Sequence, residues 1–168
     1  DIQNKVVPFF QENKPHKMIL TGGEPLIKDQ IVEIAKTLKN GLICPIILQS
    51  NGLSLTPELA EQLKECIDEI DFSTMHMFET PEKVQQLVKN IEICKQKGIK
   101  VVLSFIYEKT NEADLYRLID IAAKYDVDVL FNIISSVGRA KDNSQILTDI
   151  EHMDMNLKIA KYILKQGY

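Results

Sequence analysis

A single pattern repeats along this sequence: a short apolar segment ends in small polar residues, and a segment with helical spacing follows. Residues 101–103 and 129–131 are continuously apolar, as expected of strands covered on both faces. The pattern predicts five strands, at residues 17–21, 45–50, 70–74, 99–106 and 127–134. Strands that alternate with helices in this way indicate βα units, and therefore an α/β fold with parallel strands and right-handed crossovers.

The helical segments carry apolar stripes and recognisable start signals. Thr56-Pro57 and Thr80-Pro81 each place a capping hydroxyl before a proline at the first helical position. A further helix is predicted over residues 1–13, bent or broken at Pro8, with no strand before it. The stripes expected to be buried are Ile27, Ile31, Ile34, Ala35 and Leu38; Leu59, Leu63, Cys66 and Ile67; Val84, Leu87, Val88, Ile91 and Cys94; Leu115, Leu118, Ile119 and Ala122; and Ile150, Met153, Leu157, Ala160 and Leu164.

Composition narrows the class of protein. The chain has 168 residues, 45% hydrophobic and 26% charged, which is globular usage and excludes wholesale disorder. A net charge of −4 argues against nonspecific binding to nucleic acid or to an anionic membrane. No apolar run approaches the roughly 20 residues of a membrane span. Because the chain lacks an initiator Met, we expect a segment of a longer protein.

Three cysteines, Cys44, Cys66 and Cys94, are odd in number and far apart in the sequence. This spacing argues against a disulfide framework and predicts a cytoplasmic protein. Cys66 and Cys94 fall on predicted apolar stripes, where a free cysteine packs as a small hydrophobe. Cys44 precedes a predicted strand, on the rim opposite the strand ends. We therefore predict that this chain contributes no metal ligand.

The strongest candidate site follows the first predicted strand. In such folds ligands bind at the carboxyl ends of the strands. Gly22 and Gly23 let the backbone turn sharply and approach a ligand closely. Glu24 then offers a carboxylate that can pair with an ammonium group, and Pro25 fixes the start of the next segment. No Gly-Lys-Ser/Thr and no GxGxxG is present here, which excludes a P-loop and a dinucleotide fingerprint.

Residues 22–25 resemble the GGEP motif of the radical S-adenosylmethionine (radical SAM) superfamily. Residues 49–52, Gln-Ser-Asn-Gly, resemble that family's TNG segment, with Ser50 in place of Thr. Residues 70–73 resemble its fourth strand, where a Ser, here Ser73, usually occurs. Residues 137–140, Val-Gly-Arg-Ala, resemble the GRA stretch of members with SPASM-type accessory domains. The similarity runs in register from about residue 17 to residue 140.

The resemblance implies an α/β fold that is a partial (βα)6 half-barrel, related to the TIM barrel. Residues 1–168 would be one core fragment of five βα units plus an N-terminal helix, with the first strand missing. Family members bind a [4Fe–4S] cluster through a CxxxCxxC loop, and S-adenosylmethionine completes its coordination. One electron cleaves the sulfonium bond, and a 5′-deoxyadenosyl radical removes a substrate hydrogen atom. The implied parent is an oxidoreductase in peptide modification or cofactor maturation, with an electron donor and a small-molecule or peptide substrate as partners.

Site roles carry over by position only. Gly22, Gly23 and Glu24 would hold the methionine amino group, and Ser50 and Ser73 would face the ribose or the carboxylate. Arg139 and the strand end around residues 132–135 would line the adenine or substrate side. His76 either contacts substrate or is an ordinary loop histidine. The predicted cofactor-binding residues are Gly22, Gly23, Glu24, Pro25, Ser50, Asn51, Ser73, Asn132 and Arg139, and His76 and Ser135 are candidates for substrate contact.

Two departures from the family pattern leave an alternative open. The CxxxCxxC loop is absent from this sequence, so the chain alone is expected to be inactive. The usual Ser-x-Asp-Gly after the fourth strand reads Ser73-Thr74-Met75-His76 and lacks the Asp. The alternative is a cluster-free (βα) domain that binds a small molecule or a partner protein.

A missing first strand would also expose the strand over residues 17–21 as a sheet edge. Its residues Met18, Ile19 and Leu20 are apolar, whereas natural edges are usually protected by charge, proline or bulges. The sequence therefore predicts self-association across this edge, unless the N-terminal helix folds over the gap.

Overall fold

The computed structural model describes residues 1–134 and 147–168 and divides into two compact units, Asp1–Val102 and Leu103–Tyr168. The strands are β1 (Met18–Leu20), β2 (Ile46–Ser50), β3 (Glu69–Ser73), β4 (Lys100–Tyr107) and β5 (Asp128–Ile133). They belong to one sheet with the strand order of the chain. The predicted α/β class and all five predicted strands are confirmed, with bounds that differ by at most one residue.

Helices alternate with these strands. The α-helices are α1 (Val7–Asn13), α2 (Ile31–Gly41), α3 (Pro57–Leu63), α4 (Pro81–Gln96), α5 (Glu112–Tyr125) and α6 (Asp149–Gln166). Both predicted threonine caps form, because the Thr56 Oγ1 accepts from the Leu59 N–H at 3.1 Å and the Thr80 Oγ1 from the Lys83 N–H at 3.4 Å. No helix in the described part of the chain is long and apolar enough to span a membrane.

The strands of the first unit have two unlike faces. Because β1, β2 and β3 are parallel and paired in register, alternate residues of neighbouring strands share a face. One face is fully buried and apolar over most of its length, through Ile46, Leu48, Ile70 and Phe72. The other face carries polar side chains, with Gln49 directly opposite Asp71. The apolar face belongs to the core, and the polar face leads to the strand ends where the candidate site lies.

Two predicted stripes continue beyond the helices that form. Residues Pro25–Ile27 make a separate 3-10 turn, and Ile27 is 70% exposed rather than buried in α2. The reason is that Lys28 adopts an extended backbone, which ends the turn before α2 begins. Cys66 and Ile67 are buried as predicted, but they lie beyond the end of α3 at Leu63. The chain leaves the helix there because it must turn toward β3.

The predicted stripe of the last helix is wrong. Ile150, Met153, Leu157 and Leu164 are exposed, and the buried residues of α6 are Met155 and Ile159. Polar contacts with α5 decide which side of α6 faces inward. The Lys158 Nζ lies 3.1 Å from the Glu112 Oε2, and the Tyr162 hydroxyl donates to the Asp120 carboxylate at 2.8 Å. The tyrosine rings of Tyr116 and Tyr162 stack with their centroids 4.4 Å apart.

The predicted N-terminal helix forms and packs on α2, and helical structure continues through Pro8, where the sequence predicted a bend or a break. A π-helical turn, Ile2–Val6, leads directly into α1, and Pro8 lies in the first turn of α1. The Gln11 side chain donates to the Gly41 carbonyl at 2.8 Å, and Val7 is buried beside Gly41. Contact with α2 is therefore what positions this helix.

Gly41 tests that packing. A Cβ at Gly41 would overlap the Val7 side chain, so we expect Gly41→Ala to lower the free energy of unfolding by about 1–3 kcal/mol through overpacking. Adding Val7→Ala makes room, and the double variant should lose less stability than the sum of the two single variants. Urea unfolding of each variant measures both effects.

The control is Gly23→Ala, because no atom lies within 4 Å of the position of its Cβ. Strictly additive losses for Gly41→Ala and Val7→Ala would contradict the proposed close contact.

Candidate functional site

A cavity of about 310 Å³ opens at the carboxyl ends of β1, β2 and β3. Six of the predicted site residues line it, together with two that were not in the predicted set. The lining residues are Thr21, Gly22, Gly23, Glu24, Gln49, Ser50, Asn51 and Ser73. The strand-end rule therefore located this cavity correctly, and whether it binds a cofactor stays a prediction.

The carboxylate of Glu24 connects the turns after β1 and β2. Its Oε1 accepts from the Ser50 hydroxyl at 2.6 Å and from the Leu26 N–H at 3.0 Å. Its Oε2 accepts from the Asn51 N–H at 2.9 Å. A carboxylate has about four acceptor positions, so Oε2 retains capacity for one more donor. Glu24 thus holds the two turns together and can still accept from a ligand.

Gly22 and Gly23 leave the cavity open beside this carboxylate. Gly22 has φ +150°, a backbone conformation that L side chains rarely adopt. No atom lies within 4 Å of the position that a Cβ would take at either glycine. A ligand can therefore come close to the backbone here.

The turn after β2 is anchored from below by a residue that sequence reasoning missed. Asn90 of α4 is fully buried, and its side-chain amide donates to the Gly52 carbonyl at 2.8 Å. The Ser50 Oγ accepts from the Gly52 N–H at 2.9 Å, and the Asn51 Oδ1 accepts from the Leu53 N–H at 2.9 Å. An asparagine beside the apolar residues of α4 was the available signal. These bonds place Ser50 and Asn51 at the cavity before any ligand binds.

A chain of side-chain hydrogen bonds runs along the polar face below the cavity. The Thr21 hydroxyl donates to the Gln49 Oε1 at 3.1 Å, and the Gln49 Nε2 donates to the Asp71 Oδ2 at 3.2 Å. Asp71 is only 7% exposed, and its Oδ1 has no hydrogen-bond partner among residues 1–134 and 147–168. Asp71 does not stand out in the sequence, because its relation to Gln49 depends on the register between β2 and β3.

The remaining predicted residues lie elsewhere or outside the described residues. Pro25 opens the 3-10 turn after Glu24. Asn132 is an exposed residue of β5 in the second unit. Arg139 and Ser135 lie outside the described residues.

His76 lies beside the cavity rather than in it. It lines a smaller space of about 200 Å³ that also touches Asn51 and Ser73. Its Nδ1 lies 2.8 Å from the Glu79 Oε1, and Lys83 Nζ donates to the Glu79 Oε2 at 2.6 Å. Hydrogen bonds from Lys83 and then His76 lower the pKa of the Glu79 carboxyl. A role for His76 toward substrate stays a prediction.

The cysteines are packed in the core as free thiols. All three are buried and none forms a disulfide. Burial raises the pKa of Cys66 and raises that of Cys94 to about 12, which disfavours the thiolate that metals require. Cys44 borders a larger cavity of about 600 Å³ beside α1, whose lining is mainly apolar. Within the described ranges, no group of three or more His, Cys, Asp or Glu side chains could hold a metal ion.

Gly52 provides a test of the anchored turn. Gly52 and Gly98 both have φ +73°, but a Cβ at Gly52 would lie 2.8 Å from the Phe72 ring, whereas Gly98 faces open space. We expect Gly98→Ala to cost about 1–2 kcal/mol for the backbone conformation alone. Gly52→Ala should cost about 1–3 kcal/mol more through overpacking. Urea unfolding measures both, and equal losses would show that the turn adapts freely.

Comparison with known proteins identifies the family. The chain is 29% identical over 165 residues to the GTP 3′,8-cyclase of Clostridium perfringens (strain SM101 / Type A), covering 90% of this chain and 51% of that protein. Among solved structures, Streptococcus suis SuiB bound to precursor peptide SuiA superposes with TM-score 0.81 at 14% identity, covering 97% of this chain and 39% of that one. The structure of anSMEcpe with bound AdoMet superposes with TM-score 0.75 at 13% identity, covering 99% of this chain and 52% of that one.

The chain spans about half the length of the C. perfringens relative, and the structural matches show that the partial-barrel fold is shared. The family model for the Radical SAM superfamily matches residues 4–122, which is more than half of the chain and includes every residue lining the cavity. The chain therefore belongs to the radical SAM superfamily.

Proposed function

We propose that this chain carries the S-adenosylmethionine-binding part of the active site of a radical SAM enzyme, and that the cofactor occupies the cavity at the ends of β1 to β3. S-adenosylmethionine and a [4Fe–4S] cluster are the cofactors of the parent enzyme. The observation that carries the proposal is the Glu24 carboxylate, held by Ser50 and Asn51 beside two glycines that leave the cavity open.

The donors and acceptors at the cavity fit the methionine end of that cofactor. The Glu24 Oε2 has acceptor capacity for its ammonium group, and a charged hydrogen bond of this kind is stronger than a neutral one. The Asn51 side-chain amide and the Ser73 hydroxyl border the same cavity and can donate to carboxylate or ribose oxygens. The open backbone at Gly22 and Gly23 allows the cofactor to approach without a Cβ in the way.

When bound, S-adenosylmethionine and a [4Fe–4S] cluster would together supply radical chemistry that removes a hydrogen atom from a substrate. The described residues bind and orient the cofactor, and none of them is assigned as a cluster ligand. Glu24 holds the ammonium end, and the fixed turn at Ser50 and Asn51 keeps that end in one place. Because this chemistry removes a hydrogen atom from the substrate, we propose an oxidoreductase-type parent enzyme.

The substrate class that we propose is a small molecule handled in cofactor maturation. The support is that curated relatives similar in sequence include the GTP 3′,8-cyclase and, at 28% identity over 135 residues, a pre-heme d1 synthase of Dinoroseobacter shibae. Solved structures bound to peptides match at 14% identity or below, a level that carries the fold alone. If the parent enzyme acts on a peptide, the proposed small-molecule substrate class is wrong.

Glu24 tests the cofactor site. Glu24→Gln removes the charge that pairs with the ammonium, so we expect binding of S-adenosylmethionine to the full-length protein to weaken by about 1.5–3 kcal/mol. Titration calorimetry measures it. The control is Glu82→Gln, because Glu82 is an exposed residue in the first turn of α4 and should leave the affinity unchanged.

The same protein tests the reaction. After anaerobic reconstitution with iron and sulfide, reduction with dithionite in the presence of S-adenosylmethionine should release 5′-deoxyadenosine. Binding without release would favour the cluster-free binding domain instead. Equal affinities of Glu24→Gln and the wild type would reduce the motif to a structural turn.

We propose further that the 168-residue chain associates with itself across β1. In the described part of the chain β1 pairs only with β2, and Ile19 is 44% exposed on the polar face. The helix over residues 1–13 packs on α2 through Val7 and Gly41. An unpaired strand edge with apolar side chains is a template for pairing with a second copy.

Light scattering over a range of concentrations tests the association. The mass should rise from 19.2 kDa toward twice that value, and Ile19→Lys should keep the chain monomeric. Ile150→Lys is the control. Ile150 is 80% exposed on α6, so this variant tests whether the exposed apolar residues of α6 cause the association instead. A constant mass near 19.2 kDa, or dispersal by Ile150→Lys alone, would contradict association across β1.

A further inference from the structure

The polar face of β2 and β3 holds an arrangement that stability does not explain. Asp71 is buried beside Gln49, and its Oδ1 has no hydrogen-bond partner among the described residues. A buried carboxylate oxygen without a donor is unfavourable for folding. On the other face of the same two strands, the register pair Leu48 and Ile70 is fully buried and apolar. An apolar pair in place of Gln49 and Asp71 would therefore suit the fold better.

The hydrogen bonds give this arrangement a direction. The Gln49 side chain turns its NH2 group toward Asp71, where the Nε2 donates to the Oδ2 at 3.2 Å. The Gln49 Oε1 then faces Thr21 and accepts from its hydroxyl at 3.1 Å. With its single proton donated to Gln49, the Thr21 Oγ1 has only lone pairs left.

The direction of these hydrogen bonds matters because the series ends at Thr21, in the cavity. Thr21, Gln49 and Glu24 line the same cavity. Asp71 does not line it and lies in β3, two residues before Ser73. A threonine hydroxyl that was free to rotate could either donate or accept. Held by Gln49 and Asp71, it can only accept, which makes this part of the cavity selective for ligand groups with N–H or O–H donors.

We propose that Asp71 is a positioning residue that, through Gln49, sets Thr21 as a hydrogen-bond acceptor for an ammonium or hydroxyl group of the ligand. The inference rests on the proposed function in taking that ligand to be S-adenosylmethionine, which carries both kinds of donor. Its methionine ammonium and its ribose hydroxyls are the two possible sources.

Asp71→Asn tests the inference with little change of shape. An asparagine can accept from Gln49 or donate to it, so the direction of the chain is no longer fixed and Thr21 can donate into the cavity. We expect the affinity of the full-length, reconstituted protein for S-adenosylmethionine to fall about tenfold, the effect of one hydrogen bond. Glu69→Gln is the control, because Glu69 lies on the same face of β3, at its other end, and pairs with Lys100 at 3.1 Å.

Two ligands distinguish the source of the donor. 5′-Methylthioadenosine keeps the ribose hydroxyls and lacks the ammonium group. A loss with S-adenosylmethionine alone assigns the ammonium, and a loss with both ligands assigns a ribose hydroxyl. Either result supports the inference.

Two further measurements separate positioning from a purely structural role. Asp71→Asn should leave the thermal unfolding temperature of the ligand-free protein unchanged or higher, because it replaces a buried charge with a neutral amide of the same shape. Thr21→Val should lose affinity to a similar degree, and the double variant should lose no more than either single variant, since both act through one hydrogen-bond chain. A lower unfolding temperature with additive losses of affinity would overturn the inference.

The inference and the proposed function can fail separately. If the wild type binds S-adenosylmethionine and Asp71→Asn binds it equally well, the positioning role is wrong and the proposed function stands. If the wild type binds neither ligand, the proposed function is wrong and the inference falls with it.

Discussion

The hydrogen bonds to the Glu24 carboxylate are what the candidate site depends on. β1 and β2 pair over only three residue positions, from Met18 opposite Ile46 to Leu20 opposite Leu48. Beyond those positions no backbone pairing between the strands holds the turns after β1 and β2 together. Glu24 replaces such pairing by accepting from Ser50 and from the Asn51 N–H. An acidic residue that looks like a ligand contact in the sequence is therefore also the tie that gives the cavity its shape.

The positions of the strands and helices could be predicted from the sequence more reliably than the side of a helix that is buried. Strands such as β4 contain continuous apolar runs, here residues 101–103, and their positions follow from that pattern. α6 has apolar residues on more than one side, and the pattern selected the exposed side with Ile150 and Leu157. The choice is made by Lys158 and Tyr162, which bond to α5. Such contacts join residues more than 40 positions apart and leave no local periodicity.

For the candidate site too, contacts between residues far apart in the sequence could not be predicted. The turn residues Gly22 to Glu24 and Ser50 could be predicted to meet, because the ends of parallel strands share one rim. The contacts of Asn90 and Asp71 could not be predicted, because they depend on α4 reaching under a turn and on the register between β2 and β3. A motif therefore identifies the residues around the cavity, whereas the residues that fix their orientation emerge only from the packed structure.

The two faces of β2 and β3 have different roles: one stabilises the fold and the other supplies polar side chains to the cavity. Ile46, Leu48, Ile70 and Phe72 bury apolar surface on one face, and each large side chain buried there stabilises the fold by about 1.5–3 kcal/mol. That stability allows the opposite face to carry Gln49 and a buried carboxylate, which an isolated pair of strands would not support. Phe72 and Asn90 also pack against Gly52, so the apolar face determines where the turn with Ser50 lies. The cavity thus takes its polar side chains from one face and its rigidity from the other.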